Sequence, residues 1–171
     1  MASGSTVTRS NEDKTGDSGS DKIKQIASNR KAYHDYFIDE TLEAGVMLSG
    51  TEIKAVRDGR VNLRDGYVKI DKGEAFIWNV HISAYDHAGR YFQHNPTRSR
   101  KLLLHKSEIR RLAQKTQAKG FTLVPTRLYL KKGRAKIEIG LARGKKNYDK
   151  RDTLAERDAT REIERAIRDK D

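Results

Sequence analysis

The sequence predicts a mainly β fold: a small antiparallel barrel carrying two to three short helices, with a disordered leader before it and a tail after it. Three observations predict this. Apolar residues alternate with period two around Gly-marked turns, helix signals are short and capped, and the apolar residues concentrate between positions 29 and 142. Of 171 residues, 35% are hydrophobic and 35% are charged, so one modest core is affordable only if burial is concentrated in part of the chain.

Residues 1–28 form the expected leader. They hold four basic and four acidic residues and no aromatic, and twelve of the 28 are Ser, Thr or Gly. Such a segment buries too little apolar surface to offset its ordering entropy. The folded domain is expected over residues 29–142. Residues 36–48 read as two short β segments with a bend at Glu43-Ala44-Gly45. Ser49 and Glu52 have the spacing of a capping box, so a short helix through Ile53 and Val56 should end at Gly59. A hairpin follows: Tyr67 to Ile70, a turn at Asp71-Lys72-Gly73-Glu74, then Phe76, Trp78, Val80 and Ile82 on one inward face. Ser107 is the expected N-cap of a helix that turns Ile109, Leu112 and Ala113 inward, with Gly120 closing it. The last hairpin places Leu128 and Leu130 before the turn Lys131-Lys132-Gly133-Arg134. Beyond the turn, Ile137, Ile139 and Leu141 point inward, with Lys136 and Glu138 outward. Closing short antiparallel strands into an OB-like barrel hides the edges they would otherwise expose.

The pattern changes after residue 142. Residues 143–171 form the expected basic tail, with five Lys or Arg among the nine residues from Arg143 to Arg151. Ala155, Ala159, Ile163 and Ala166 recur at near-helical spacing, a stripe too thin to hold a helix alone. The tail is expected to be disordered by itself and to become helical on a partner.

Formal net charge is +12. Residues 29–142 carry 22 Lys or Arg against 12 Asp or Glu, so most of the excess belongs to the part that folds. That favours a shaped, cation-bearing surface for nucleic acid. No apolar run is long enough to span a bilayer, and the first residues lack the apolar centre of a secretory signal. Cysteine is absent, compatible with a reducing cytoplasm. No membrane partner is expected.

Two stretches carry the grammar of an RNA surface. Asn29, Arg30, Lys31, Tyr33, His34 and Tyr36 interleave amide, cations and aromatics. Arg98, Arg100 and Lys101 sit beside Leu102, Leu103 and Leu104 in a loop able to present Arg forks to phosphate. Tyr67 and Tyr129 are possible stacking residues for single strands, but they are isolated. Enzyme signatures are weak. Gly140 to Gly144-Lys145 falls one residue short of a phosphate-binding loop and lacks its Ser or Thr. The histidines (34, 81, 87, 94 and 105) make no close pair at helical ligand spacing, so no metal is expected, and His81 should lie on a strand's outer face. No Ser-His-acid set offers a nucleophile. No catalysis, cofactor or small-molecule substrate is expected, and nothing suggests an obligate dimer.

The order of five motifs resembles a known family. Asn29-Arg30-Lys31-Ala32-Tyr33-His34-Asp35-Tyr36-Phe37-Ile38 is followed by Glu43-Ala44-Gly45 and by Gly50-Thr51-Glu52-Ile53-Lys54. Pro96 through Leu104 and then Gly144-Lys145-Lys146, Asp149-Lys150-Arg151 complete the series. Across residues 29 to 157 this closely resembles the SmpB family of bacterial SsrA-binding proteins. The resemblance implies transfer-messenger RNA (tmRNA) and the ribosome as partners, and trans-translation, the rescue of ribosomes stalled on messages without a stop codon, as the process. It implies that the barrel grips the tRNA-like domain, with Asn29, Glu43 and Leu103 at RNA-binding positions. Arg30, Lys31, His34, Lys54, Arg98, Arg100 and Lys101 lie in or near the same motifs. It also implies that the tail, opening with Gly144, Lys145, Lys146, Tyr148, Asp149, Lys150 and Arg151, enters the decoding centre and the empty message channel. Tyr148 stands where several relatives carry His, and Ala155 and Ala159 replace a Lys and a Trp found in some relatives.

Overall fold

The computed structural model describes residues 23–85, 94–117, 120–146, 149, 158–163, 165 and 167. In chain order these form β1 (Ile23–Ser28), α1 (Arg30–Asp35), β2 (Tyr36–Val46), α2 (Gly50–Arg57), β3 (Val61–Asn62), β4 (Tyr67–Asp71) and β5 (Glu74–Trp78). They continue with β6 (His81–Ile82), β7 (Arg100–Leu103), α3 (Lys106–Gln117), β8 (Phe121–Lys131) and β9 (Arg134–Gly144). The sheet runs β1-β8-β4-β5-β7-β2-β9, and β9 also pairs with β8. All pairings are antiparallel, so six strands complete a ring and β1 extends it along β8. This is the expected OB-like architecture. The seam between β4 and β8 is a single register pair, Val68 with Leu123.

The long hairpin of β8 and β9 forms the wall. Its turn places Lys132 and Gly133 at φ 51° and 74°, as the Lys131-Lys132-Gly133-Arg134 signal requires. Ile137, Ile139 and Leu141 are buried as expected, together with Leu123, Leu128 and Leu130. Gly140 is needed for close approach: a Cβ there would stand 2.9 Å from Ile38 and 3.1 Å from the Thr126 methyl. Helix α3 turns Ile109 and Leu112 inward. Its face toward β2 is tied by Arg111 and Lys115, both paired to Glu40.

Several expectations need correction. The folded body begins at Ile23, because Ile23–Ser28, expected within the leader, pairs with β8; residues 1–22 lie outside the described residues. At the other end β9 reaches Gly144, past the expected boundary at 142. Strand β2 is continuous through Glu43-Ala44-Gly45. Gly45 serves packing, not bending, for a Cβ there would meet Leu103 Cβ at 3.1 Å. The alternation of β5 is the reverse of that expected: Ala75 and Ile77 are buried, Phe76 is half-buried, and Trp78 is 39% exposed. Both faces of that strand are apolar, so period two alone cannot choose, and the narrow barrel interior takes the small Ala75 opposite Leu102. Val80 and Ile82 are nonetheless buried, since Asn79 at φ 56° breaks the strand and resets its direction. Helix α3 begins one residue before Ser107, and Glu108 caps it by accepting from the His105 backbone N–H at 2.8 Å. Tyr129, offered above as a stacking residue, is buried at 6% exposure, whereas Tyr67 is exposed.

Candidate nucleic-acid interface

The first cluster gathers on α1. Asn29 caps this helix by accepting from the Ala32 N–H at 3.1 Å, while its amide donates to the carbonyls of Leu63 (3.0 Å) and Pro125 (2.9 Å). A bulge at Thr126 turns that residue's carbonyl toward the Asn29 N–H, 2.7 Å away. Asn29 is only 3% exposed, so it is a joint holding α1 against β8 rather than a surface donor. Arg30 and Lys31 are exposed, and they line a groove with His34, Asn62 and Arg64. Lys31 pairs with Asp65 at 2.9 Å, and His34 Nδ1 meets Asp35 Oδ1 at 2.8 Å.

A second cluster stands at the other end of β2. Leu103 is 53% exposed and shares a groove with Glu43, Glu74, Lys101, His105 and Lys136. Glu43 accepts from the Tyr129 hydroxyl and pairs with Lys136 at 3.3 Å and Lys131 at 3.8 Å. The Tyr129 hydroxyl and the two ammonium groups hold the Glu43 carboxyl below its ordinary value against the pull of burial. Burial and the carboxylate partner push the Tyr129 phenol up to about 12. Glu43 is thus a fixed anion within a cationic field, oriented by a neutral hydroxyl.

On α2, which follows β2, Glu52 organises the 96–100 loop. It completes the expected capping box with Ser49, accepting the Ser49 N–H at 2.7 Å. The same carboxylate accepts two bonds from Arg98 (2.8 and 2.5 Å) and one from Arg100 (2.9 Å). Burial opposes its charge, but the Arg98 fork, the Ser49 amide and Arg100 outweigh that and hold it at about 2. The remaining Arg100 donors go to the carbonyls of Val80, Arg98 and Pro96. Arg100 is 1% exposed, and desolvation lowers its pKa despite Glu52. The Arg forks expected to face phosphate therefore close on a buried glutamate: Arg100 wholly, Arg98 in part, its side chain remaining 37% exposed. Lys54 is exposed on α2, 5.4 Å from the Tyr85 ring. His94 bridges Thr51 and the Ile82 carbonyl at 3.0 Å each, and His81 is exposed as expected.

The start of the tail docks on α1. Lys145 donates its N–H to the Asp35 carbonyl at 2.9 Å, and its ammonium lies 4.8 Å from the Phe37 ring centroid. Gly144 pairs with Tyr36, and Asp149 accepts from the Lys146 N–H at 3.1 Å. Tyr148, Lys150 and Arg151 lie outside the described residues. Residues 158–163 are helical and wholly exposed, including Ala159 and Ile163; Ala155 and Ala166 are not described. Among the described residues no helix is long and apolar enough to cross a membrane.

Sequence reasoning did not assign Arg64, Lys131 or Lys136 to the interface. Each reaches its cluster by strand pairing or chain crossing, which leaves no local signal.

The model of the SmpB protein family matches residues 26–169. An SsrA-binding protein of Desulfitobacterium hafniense is 61% identical over 150 residues, 88% of this chain and 96% of that protein. Another, from Roseiflexus castenholzii, is 60% identical over 145 residues, 85% of this chain and 92% of its own length. A solved structure described as "tmRNA-SmpB: a journey to the center of the bacterial ribosome" superposes with a TM-score of 0.60 at 47% identity. It covers 71% of this chain and 85% of its own.

Proposed function

The chain belongs to the SmpB family, and from that premise we propose that its barrel grips the tRNA-like domain of tmRNA through the α1 and β2–β7 clusters while its tail engages the ribosome. It binds tmRNA and acts in trans-translation. The observation that carries the interface reading is the placement of basic side chains and an oriented anion at the two ends of one strand. Arg30, Lys31, His34 and Arg64 stand at the Tyr36 end, and Glu43, Lys101, Leu103 and Lys136 at the Val46 end. Lysines supply phosphate contacts, whereas Glu43 accepts hydrogens from a base edge or ribose hydroxyl. Asn29 and Arg100 act from beneath, holding α1 and the 96–100 loop in place.

The protein performs no chemistry in this reading: barrel and RNA together take the place of a tRNA, and the tail reports an empty message channel by filling it. Coupled folding of the tail costs a few kcal/mol, offset by many ribosomal RNA phosphates. In this reading the protein works in the cytoplasm, where ribosomes are, and works there as a monomer. Gel-shift titration of the full chain with the tRNA-like domain tests the interface. Glu43→Ala should weaken binding although it adds net positive charge; unchanged or tighter binding would refute the anion's role.

A further inference from the structure

The outer face of the β4–β5 hairpin carries an aromatic row that the reading above leaves unused. Tyr67 and Trp78 are direct cross-strand partners, 40% and 39% exposed. On the next outward rung Lys69 faces Phe76, and Phe76 faces Lys101 on β7. The rung at the turn is acidic, Asp71 opposite Glu74, with the Glu74 carboxylate held by Lys101. Val68, Ala75, Ile77 and Leu102 between these positions are buried, so the pleat fixes the outward direction of the row.

The row also joins the two clusters. At one end Tyr67 lines a groove with Lys31, Asp35 and Arg64. At the other, Lys101 lines the groove of Glu43, Leu103 and Lys136. We propose that Trp78, with Tyr67 and Phe76, is a stacking platform for an unpaired nucleotide of the bound RNA, on a track running from the Lys31–Arg64 groove to the Lys101–Leu103 groove. This rests on the barrel binding structured RNA. Every base offers a π-face to such a ring, and loops of folded RNA supply unstacked bases. Lys69 and Lys101 flank Phe76 with cations where a stacked nucleotide's phosphates would pass, and the chain's net charge of +12 favours a polyanion over an apolar protein surface.

Trp78 is the chain's single tryptophan, so its emission reports this position alone. Full-length protein is titrated with the tRNA-like RNA, following tryptophan fluorescence and gel shift in parallel. The expected result is a saturable quench at the affinity the gel reports, with Trp78→Ala weakening binding roughly tenfold and Trp78→Phe retaining most of it. RNA binding at full strength with unchanged emission, or a folded Trp78→Ala variant binding like the parent, would overturn the platform and leave the general RNA reading intact. No gel shift at all would remove that reading and the platform with it. If Trp78→Ala fails to fold, the quench in the unaltered protein decides alone.

Discussion

Glu52 shows how much one side chain can hold. It caps α2 through Ser49 and neutralises Arg98 and Arg100, and its own side chain is fully buried. Glu52→Gln keeps the shape but leaves the buried Arg100 without its counter-charge, so urea unfolding should lose about 3–5 kcal/mol. The carboxyl titrates near 2 in the fold against an ordinary value of 4.5. A depressed folded-state pKa means its stabilisation is complete above about pH 4.5 and is lost as pH falls toward 2. Acid unfolding curves should therefore steepen through that window in the parent and flatten in Glu52→Gln. The cap was legible in the sequence because Ser49 and Glu52 are three residues apart. The ion pairs were not, since Arg98 and Arg100 lie 46 and 48 residues away and nothing local distinguishes a buried Arg from one facing phosphate. Tyr129→Phe isolates another such pairing. It keeps the buried ring, removes the hydroxyl that orients Glu43, and should weaken RNA binding in the same direction as Glu43→Ala without changing the unfolding midpoint by more than about 1 kcal/mol.

Among the elements, hairpins and caps were readable because each is a local agreement between turn residues and flanking alternation, as at Lys131-Lys132-Gly133-Arg134. Strand β1 was not. IKQIAS lies in a polar, Ser-rich stretch and gains its ladder only from β8, about a hundred residues later. A chain lacking residues 1–28 should melt several degrees below one lacking residues 1–22, a comparison that isolates β1. Equal melting temperatures would mean the strand adds nothing. The face of β5 was misread because AFIW is apolar on both sides, and only the width of the closed barrel selects Ala75 and Ile77. Gly140→Ala tests that tightness where β9 crosses β2. Its new methyl meets Ile38 and Thr126, and overpacking there should cost about 1–3 kcal/mol by thermal or chemical unfolding.

Over the whole molecule, the proposed reading divides two tasks between the barrel and the tail. Strand β9 ends at Gly144 and Lys145 still docks on Asp35 and Phe37, so a chain ending at Lys146 retains the whole ring. Such a chain should bind the tRNA-like domain within about twofold of the parent yet fail to support peptide tagging on stalled ribosomes. The central claim is that a folded surface, and not net charge alone, selects the RNA. Competition binding of the full chain at about 150 mM salt, where surface charges are screened beyond roughly 8 Å, measures this directly by setting the tRNA-like domain of tmRNA against an unrelated duplex of equal length. The tRNA-like domain should win by at least about tenfold; equal displacement by the duplex would contradict the account.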